Sequence, residues 1–270
     1  MDSARHLPDG ERLSAVMAVI LLAYAVSRFV QLPGQTLGLE LGGIYLPIEI
    51  SINTMIAIVV AGLTATGTDW LLQADTGAAG RSRYRHWFLP AMTAWVISLL
   101  LANLPFNAQW WLGFGLCALF LLAVILAEYA SSSTENHYYS LATQALTVLT
   151  LCLFLILAIT VHAVALRLYL ALPAIGLGVF TAASRLQLLR LGQRWQPLQA
   201  IGITFACAQI AAALHYLPVS VLGYGLGLLG LLYALDHYTG AFTNAGSLRQ
   251  TVREALIALA VFWILALLLR

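Results

Sequence analysis

Apolar residues dominate this chain in long runs, and short polar segments separate one run from the next. The runs are about 20 residues long, which is the length of helix that crosses a hydrocarbon layer about 30 Å thick. We therefore expect an all-α polytopic membrane protein. The pattern predicts nine spans, at about 13–32, 47–67, 87–104, 110–129, 140–161, 167–188, 198–216, 219–238 and 252–269.

Composition excludes several other classes of protein. The chain is 61% hydrophobic and 9% charged, whereas a water-soluble domain has roughly a quarter of its residues charged. All 13 basic residues are arginines, so no lysine is present to form a retinal or pyridoxal Schiff base or to complete a Walker-type phosphate loop. The arginines are dispersed along the chain, which argues against a surface for nucleic acid.

The arginines also predict the orientation of the spans. With the N-terminus in the cytoplasm, ten arginines fall on the inner side and three on the outer side, as the positive-inside bias requires. Nine spans then place the C-terminus outside, and we expect a bacterial plasma (inner) membrane. The first span lacks a small-residue cleavage pattern and is interpreted as uncleaved. The longest outer connection, 31–47, is itself apolar and is expected to lie at the interface or fold back onto the bundle.

One stretch of sequence occurs twice. LGFGLCALFLL (112–122) and LGYGLGLLGLL (222–232) are identical at seven of eleven positions. Further matches surround both copies in the same order: Arg-rich segments at 81–90 and 190–197, Leu-Pro pairs at 104–105 and 217–218, and acidic residues followed by Tyr near 128 and 236.

These matches predict a single membrane domain over 1–270 with a 1 + 4 + 4 organisation. A leading helix (13–32) precedes repeat 1 (47–161) and repeat 2 (167–269). Because each repeat has an even number of spans, the two would share one orientation, as in transporters whose halves are related by an axis along the membrane normal. The alternative is convergence of helices that are rich in Leu and Gly.

Glycines in the repeated stretch are interpreted as helix-packing residues. Gly223, Gly227 and Gly230 are spaced i, i+4 and i+7 and so share one face, where small residues let helix backbones approach closely in lipid. Gly113 and Cys117 keep part of that spacing in the first copy. The alternative is a groove for a ligand.

Acidic residues and histidines collect near the inner ends of the predicted spans, and carboxylates and imidazoles at one depth could bind a metal or relay protons. The weak catalytic candidates are Glu128, His137, Asp236 and His237. The alternative is that these groups contact water or headgroups, and no metal site is assigned. Facing imidazoles, for example at the outer ends of spans, could hold haem or a pigment, although no spacing requires either cofactor.

Three functions remain open at this point. Only neutral polar residues lie at the predicted midplane, which disfavours ion-coupled transport. The preferred hypothesis is a non-enzymatic structural or accessory subunit that contacts the lipid bilayer and works in a membrane-protein complex. The alternatives are a transporter or binder of a small apolar molecule (lipid, quinone or pigment) between the repeats, and a lipid-modifying enzyme with an inner-face acid/His site.

Overall fold

The structure, a computed structural model, describes residues 9–29, 35–41, 44–50, 52–73, 86–131, 139–190, 196–243 and 248–269. Over these ranges the chain forms nine helices and one two-stranded hairpin. The elements are α1 (Gly10–Phe29), β1 (Gln35–Leu41), β2 (Ile44–Ile50), α2 (Ile52–Gln73), α3 (Phe88–Asn103), α4 (Ala108–Ser131), α5 (Tyr139–Ala163), α6 (Leu168–Arg190), α7 (Pro197–His215), α8 (Val221–Thr243) and α9 (Leu248–Leu268).

Seven of these helices, α1, α2, α4 to α7 and α9, are long and apolar enough to cross a membrane. This finding confirms the helical membrane-protein class, while the count of nine spans stays a prediction. Prolines mark two of the helix boundaries. Pro197 opens α7 at a position whose amide would have no helical partner, and the extended Leu104 before Pro105 ends α3.

A β-hairpin occupies the segment that was expected to be an apolar loop and the start of the second span. β1 and β2 pair antiparallel, with Leu39 opposite Leu46 and Glu40 opposite Tyr45. The second helix therefore begins at Ile52 rather than near residue 47. The sequence alternates aliphatic and other residues along both strands, which is the pattern of a strand with two different faces.

The chain divides into two packing units, Met1–His137 and Tyr138–Arg270. In the first unit, α1 packs on α2, α2 on α3 and α3 on α4, while α1 also touches α4. Aliphatic residues from all four helices form its core, and the Tyr24 hydroxyl donates a 2.6 Å hydrogen bond to the carbonyl of Ala94. Arg12 at the start of α1 lies over the ring of Trp70 at the end of α2, so these two helices run antiparallel.

The second unit contains α5 to α9. Here α5 packs on α6, α6 on α7 and α7 on α8, while α5 also packs on α8. The ninth helix packs on α8. Apart from an additional contact between α6 and α8, the order of contacts among α5 to α8 repeats the order among α1 to α4, and the two copies of the repeated stretch lie on the fourth helix of each set. The predicted repeat boundaries, 47–161 and 167–269, stay a prediction, although α5 packs with the second unit.

Candidate functional site

The first unit holds a buried carboxylate beside a histidine. Glu128 lies in the last turn of α4 and is 0% exposed, and its Oε2 is 3.0 Å from Nδ1 of His86, which precedes α3. A carboxylate in so apolar a setting requires hydrogen-bond partners, because burial without them is costly. The imidazole supplies one, and a pair at this distance can also exchange a proton.

The second unit holds a comparable pair on α8. Asp236 is 2% exposed, and Nη2 of Arg190, at the end of α6, lies 3.0 Å from its Oδ2. Arg190 Nη1 donates a 2.9 Å hydrogen bond to the main-chain carbonyl of Asp236, so the guanidinium contacts both the backbone and the carboxylate. The carboxylate contact lacks hydrogen-bonding angles, and neither carboxylate oxygen accepts a hydrogen bond from the described residues. Charge attraction is therefore the main compensation for burying this group.

Of the other two candidates, His237 is among the described residues. His137 lies outside the described residues. His237 stacks on Tyr233 at 5.7 Å, and its Nε2 is 3.5 Å from Oε2 of the exposed Glu254. Within the described ranges, no three metal-binding side chains come together.

His86 and Arg190 fall near the predicted inner side, but the sequence does not identify them as partners of the two acids. The signal in the sequence is that the acids and these two residues share one predicted depth in the membrane. A carboxylate buried at the inner end of a span needs a cation or a hydrogen-bond donor from that same end. The sequence could not show which loop or helix supplies it, since that depends on which helices touch.

Two histidines meet at the opposite end of the second unit. The rings of His162 (end of α5) and His215 (end of α7) are 6.3 Å apart at an interplanar angle of 84°. His162 also stacks on Tyr224 of the repeated stretch, with centroids 4.3 Å apart and rings inclined by 12°. Aromatic contact and nearby imidazoles therefore coincide here. Binding of haem or a pigment at such imidazoles stays a prediction.

The predicted packing glycines on α8 lie against two different helices. A Cβ on Gly223 would meet the carbonyl oxygen of Ala266, and one on Gly230 would lie 2.5 Å from the Cβ of Phe262, both on α9. Gly227 instead faces Leu214 of α7, with an ordinary contact distance of 3.5 Å. In the first unit a Cβ on Gly113 would meet Leu104 at 2.8 Å, while Cys117 packs against the apolar core.

The second half of α6 carries buried polar residues that are not among the predicted site residues. Seven consecutive residues, Ala182 to Leu188, are buried, so this helix has neighbours on every side. Ser184 and Gln187 lie among them, and their side-chain polar atoms find no hydrogen-bond partner among the described residues. Arg185 is also buried. The segment is a second polar region within the unit that holds Asp236.

Comparison with known proteins assigns a family but no activity. No curated protein and no solved structure matches the chain. One family model matches residues 32–269, a range that holds the hairpin and α2 to α9 and leaves α1 outside. On that match, which covers most of its length, the chain belongs to the family described as protein of unknown function DUF5656.

Proposed function

We propose that this membrane protein is a non-enzymatic structural or accessory subunit that works within a membrane-protein complex. The observation that carries the proposal is the pairing of Glu128 with His86 and of Asp236 with Arg190 inside separate units. His86, which precedes α3, pairs with Glu128 at the end of α4. Arg190, at the end of α6, pairs with Asp236 on α8. Such pairs fix how helices meet, which is a structural role of buried ionic groups.

The ninth helix supports a role in assembly. It is the least buried of the seven candidate spans, and it carries exposed Val261, Ile264, Leu265 and Leu268 on its second half. An apolar helix surface of this kind meets either lipid or another helix. We propose that this surface, the outer-half face of α9, contacts a second membrane protein.

Site-specific photocrosslinking tests the proposal. A benzoylphenylalanine at Ile264 or Leu268 is expected to form one discrete protein adduct in intact membranes, and the same protein should co-purify with the unmodified chain in a fixed ratio. The matched control is Leu116, an equally apolar residue of α4 that is 67% exposed. Adducts with lipid alone at all three positions, or a protein that never co-purifies, would contradict the proposal.

We also propose that the chain resides in the plasma membrane with its N-terminus in the cytoplasm and its C-terminus outside. The arginine distribution supports this orientation. In a bacterial host, alkaline phosphatase fused after Arg270 should be active and green fluorescent protein at the same position dark. Fusions in the 132–138 connection should give the reverse result, because that connection is predicted to be cytoplasmic. If the same reporter is active at both positions, the proposed topology is wrong.

A further inference from the structure

A groove runs along the first half of α9, on the opposite half of the helix from the proposed assembly face. It is open to its surroundings and is not an enclosed cavity. All of the described residues that line it belong to α9, namely Arg249, Gln250, Val252, Arg253, Leu256, Ile257 and Ala260. The groove is therefore polar where the helix begins and apolar further along.

The charges in the groove are of one sign. Arg249 and Arg253 are one helical turn apart, and neither forms an ion pair with any of the described residues. Like charges at this spacing repel each other, so an anion placed between them would relieve the repulsion.

The nearest carboxylate offsets only part of the charge of the two arginines. Glu254 accepts a 3.1 Å hydrogen bond from Nε2 of Gln250 and lies 3.5 Å from Nε2 of His237. It also attracts the guanidinium of Arg253 without forming an ion pair with it, so one carboxylate stands near two arginines.

We propose that this groove binds one anionic phospholipid of the inner leaflet. Its phosphate would lie between Arg249 and Arg253. The part of its acyl chains next to the headgroup would contact Leu256 and Ile257, which are more than half exposed. Three features agree with this occupant: the charge of the polar end, the order of polar and apolar residues along the helix, and the predicted inner position of the start of α9. Guanidinium groups suit the recognition of phosphate oxygens.

Lipid titration with native mass spectrometry tests the site on the full-length chain. Phosphatidylglycerol is expected to bind saturably with one high-affinity equivalent, and phosphatidylcholine with the same acyl chains should bind more weakly. The double variant Arg249→Gln/Arg253→Gln should weaken phosphatidylglycerol binding by about 10- to 30-fold, as expected from removing two arginines at an anionic membrane surface. Both residues are exposed, so the fold should tolerate the change.

Two comparisons make the test specific. Arg167→Gln removes an exposed arginine beyond the predicted outer end of α5 and should leave phosphatidylglycerol binding unchanged. Ile257→Ser keeps both charges and should weaken lipid binding while leaving the affinity for inorganic phosphate the same. Equal binding of the two lipids, or an unchanged affinity in the double variant, would overturn the proposal. If Ile257→Ser leaves lipid binding unchanged, the site recognises only the anion, and the proposal of a phospholipid also fails.

Discussion

Arg190→Leu is expected to destabilise the second unit by about 3 kcal/mol, because it leaves the carboxylate of Asp236 buried without a cation. The carboxylate is 2% exposed, and no described residue donates a hydrogen bond to it. The imidazole of His237 also attracts this carboxylate, but it forms no hydrogen bond or ion pair with it. The same substitution also removes the hydrogen bond from Nη1 to the main-chain carbonyl of Asp236. Unfolding in mixed micelles with increasing SDS, followed by circular dichroism, gives the change in free energy.

The double variant Arg190→Leu/Asp236→Leu separates charge burial from packing. Replacing both members of a buried ion pair by apolar residues is often neutral or stabilising, so its stability should return to within about 1 kcal/mol of the native chain. The control is Arg167→Leu, at an exposed arginine without an ion pair among the described residues, with an expected change below about 0.5 kcal/mol. If Arg190→Leu costs no more than this control, the pair does not hold α6 to α8, and the structural role proposed for it fails.

The helices were the most predictable feature of the fold. A span needs a long apolar run, and the run itself is visible in the sequence, so the observed helices begin and end within about six residues of their predicted limits. The largest differences are those of α2. There the apolar residues flanking the hairpin merged with those of the spans, and length alone could not separate them.

The hairpin could have been predicted from its own pattern. Two runs of alternating aliphatic residues, 35–41 and 44–50, flank the dipeptide Gly42-Gly43. Two glycines between alternating runs are a strong hairpin signal, because both central positions of the favoured tight turn need positive φ. Leu and Ile fit an apolar membrane span as well as they fit a strand, so run length alone does not distinguish the two.

The acid–base pairs were predictable only in part. Sequence placed Glu128 and Asp236 at the inner ends of their helices, where the structure also brings His86 and Arg190. The contacts between helices depend on side-chain packing. The apolar runs are too similar in composition to show which helices will contact each other. The repeated stretch predicted the four-helix sets α2 to α5 and α6 to α9, and these sets stay a prediction. The contacts join α1 to α4 in one unit and α5 to α9 in the other, with the repeated stretch on α4 and α8.

This order suggests a revised correspondence between the halves. If α1 to α4 correspond to α5 to α8, then the repeat counterparts of α2, α3 and α4 are still α6, α7 and α8, as in the predicted repeats. Only α5 changes its counterpart, from α9 to α1. The ninth helix would then be an addition to a duplicated four-helix unit, which agrees with its low burial and with the proposed roles of its surface in assembly and lipid binding.

Gly230→Ala is expected to destabilise the contact of α8 with α9 by about 1 to 2 kcal/mol. The new methyl group would lie 2.5 Å from the Cβ of Phe262, an atom fixed to the backbone of α9, so the helices must separate. Overpacking of this kind typically costs about 1 to 3 kcal/mol, and the better helix propensity of Ala offsets up to about 1 kcal/mol of it. The same unfolding assay in mixed micelles measures the difference.

Gly227→Ala is the matched control, since it makes the same chemical change one turn earlier on α8. Its methyl group would lie 3.5 Å from the flexible end of Leu214, an ordinary contact, so this variant should be as stable as the native chain or more stable. Equal effects of the two variants would show that α8 responds to loss of glycine itself and not to the approach of α9. A selective effect of Gly230→Ala would instead show that close backbone approach holds α9, the least buried of the seven candidate spans, in place. It would then also fix the position of the groove beside Arg249 and Arg253.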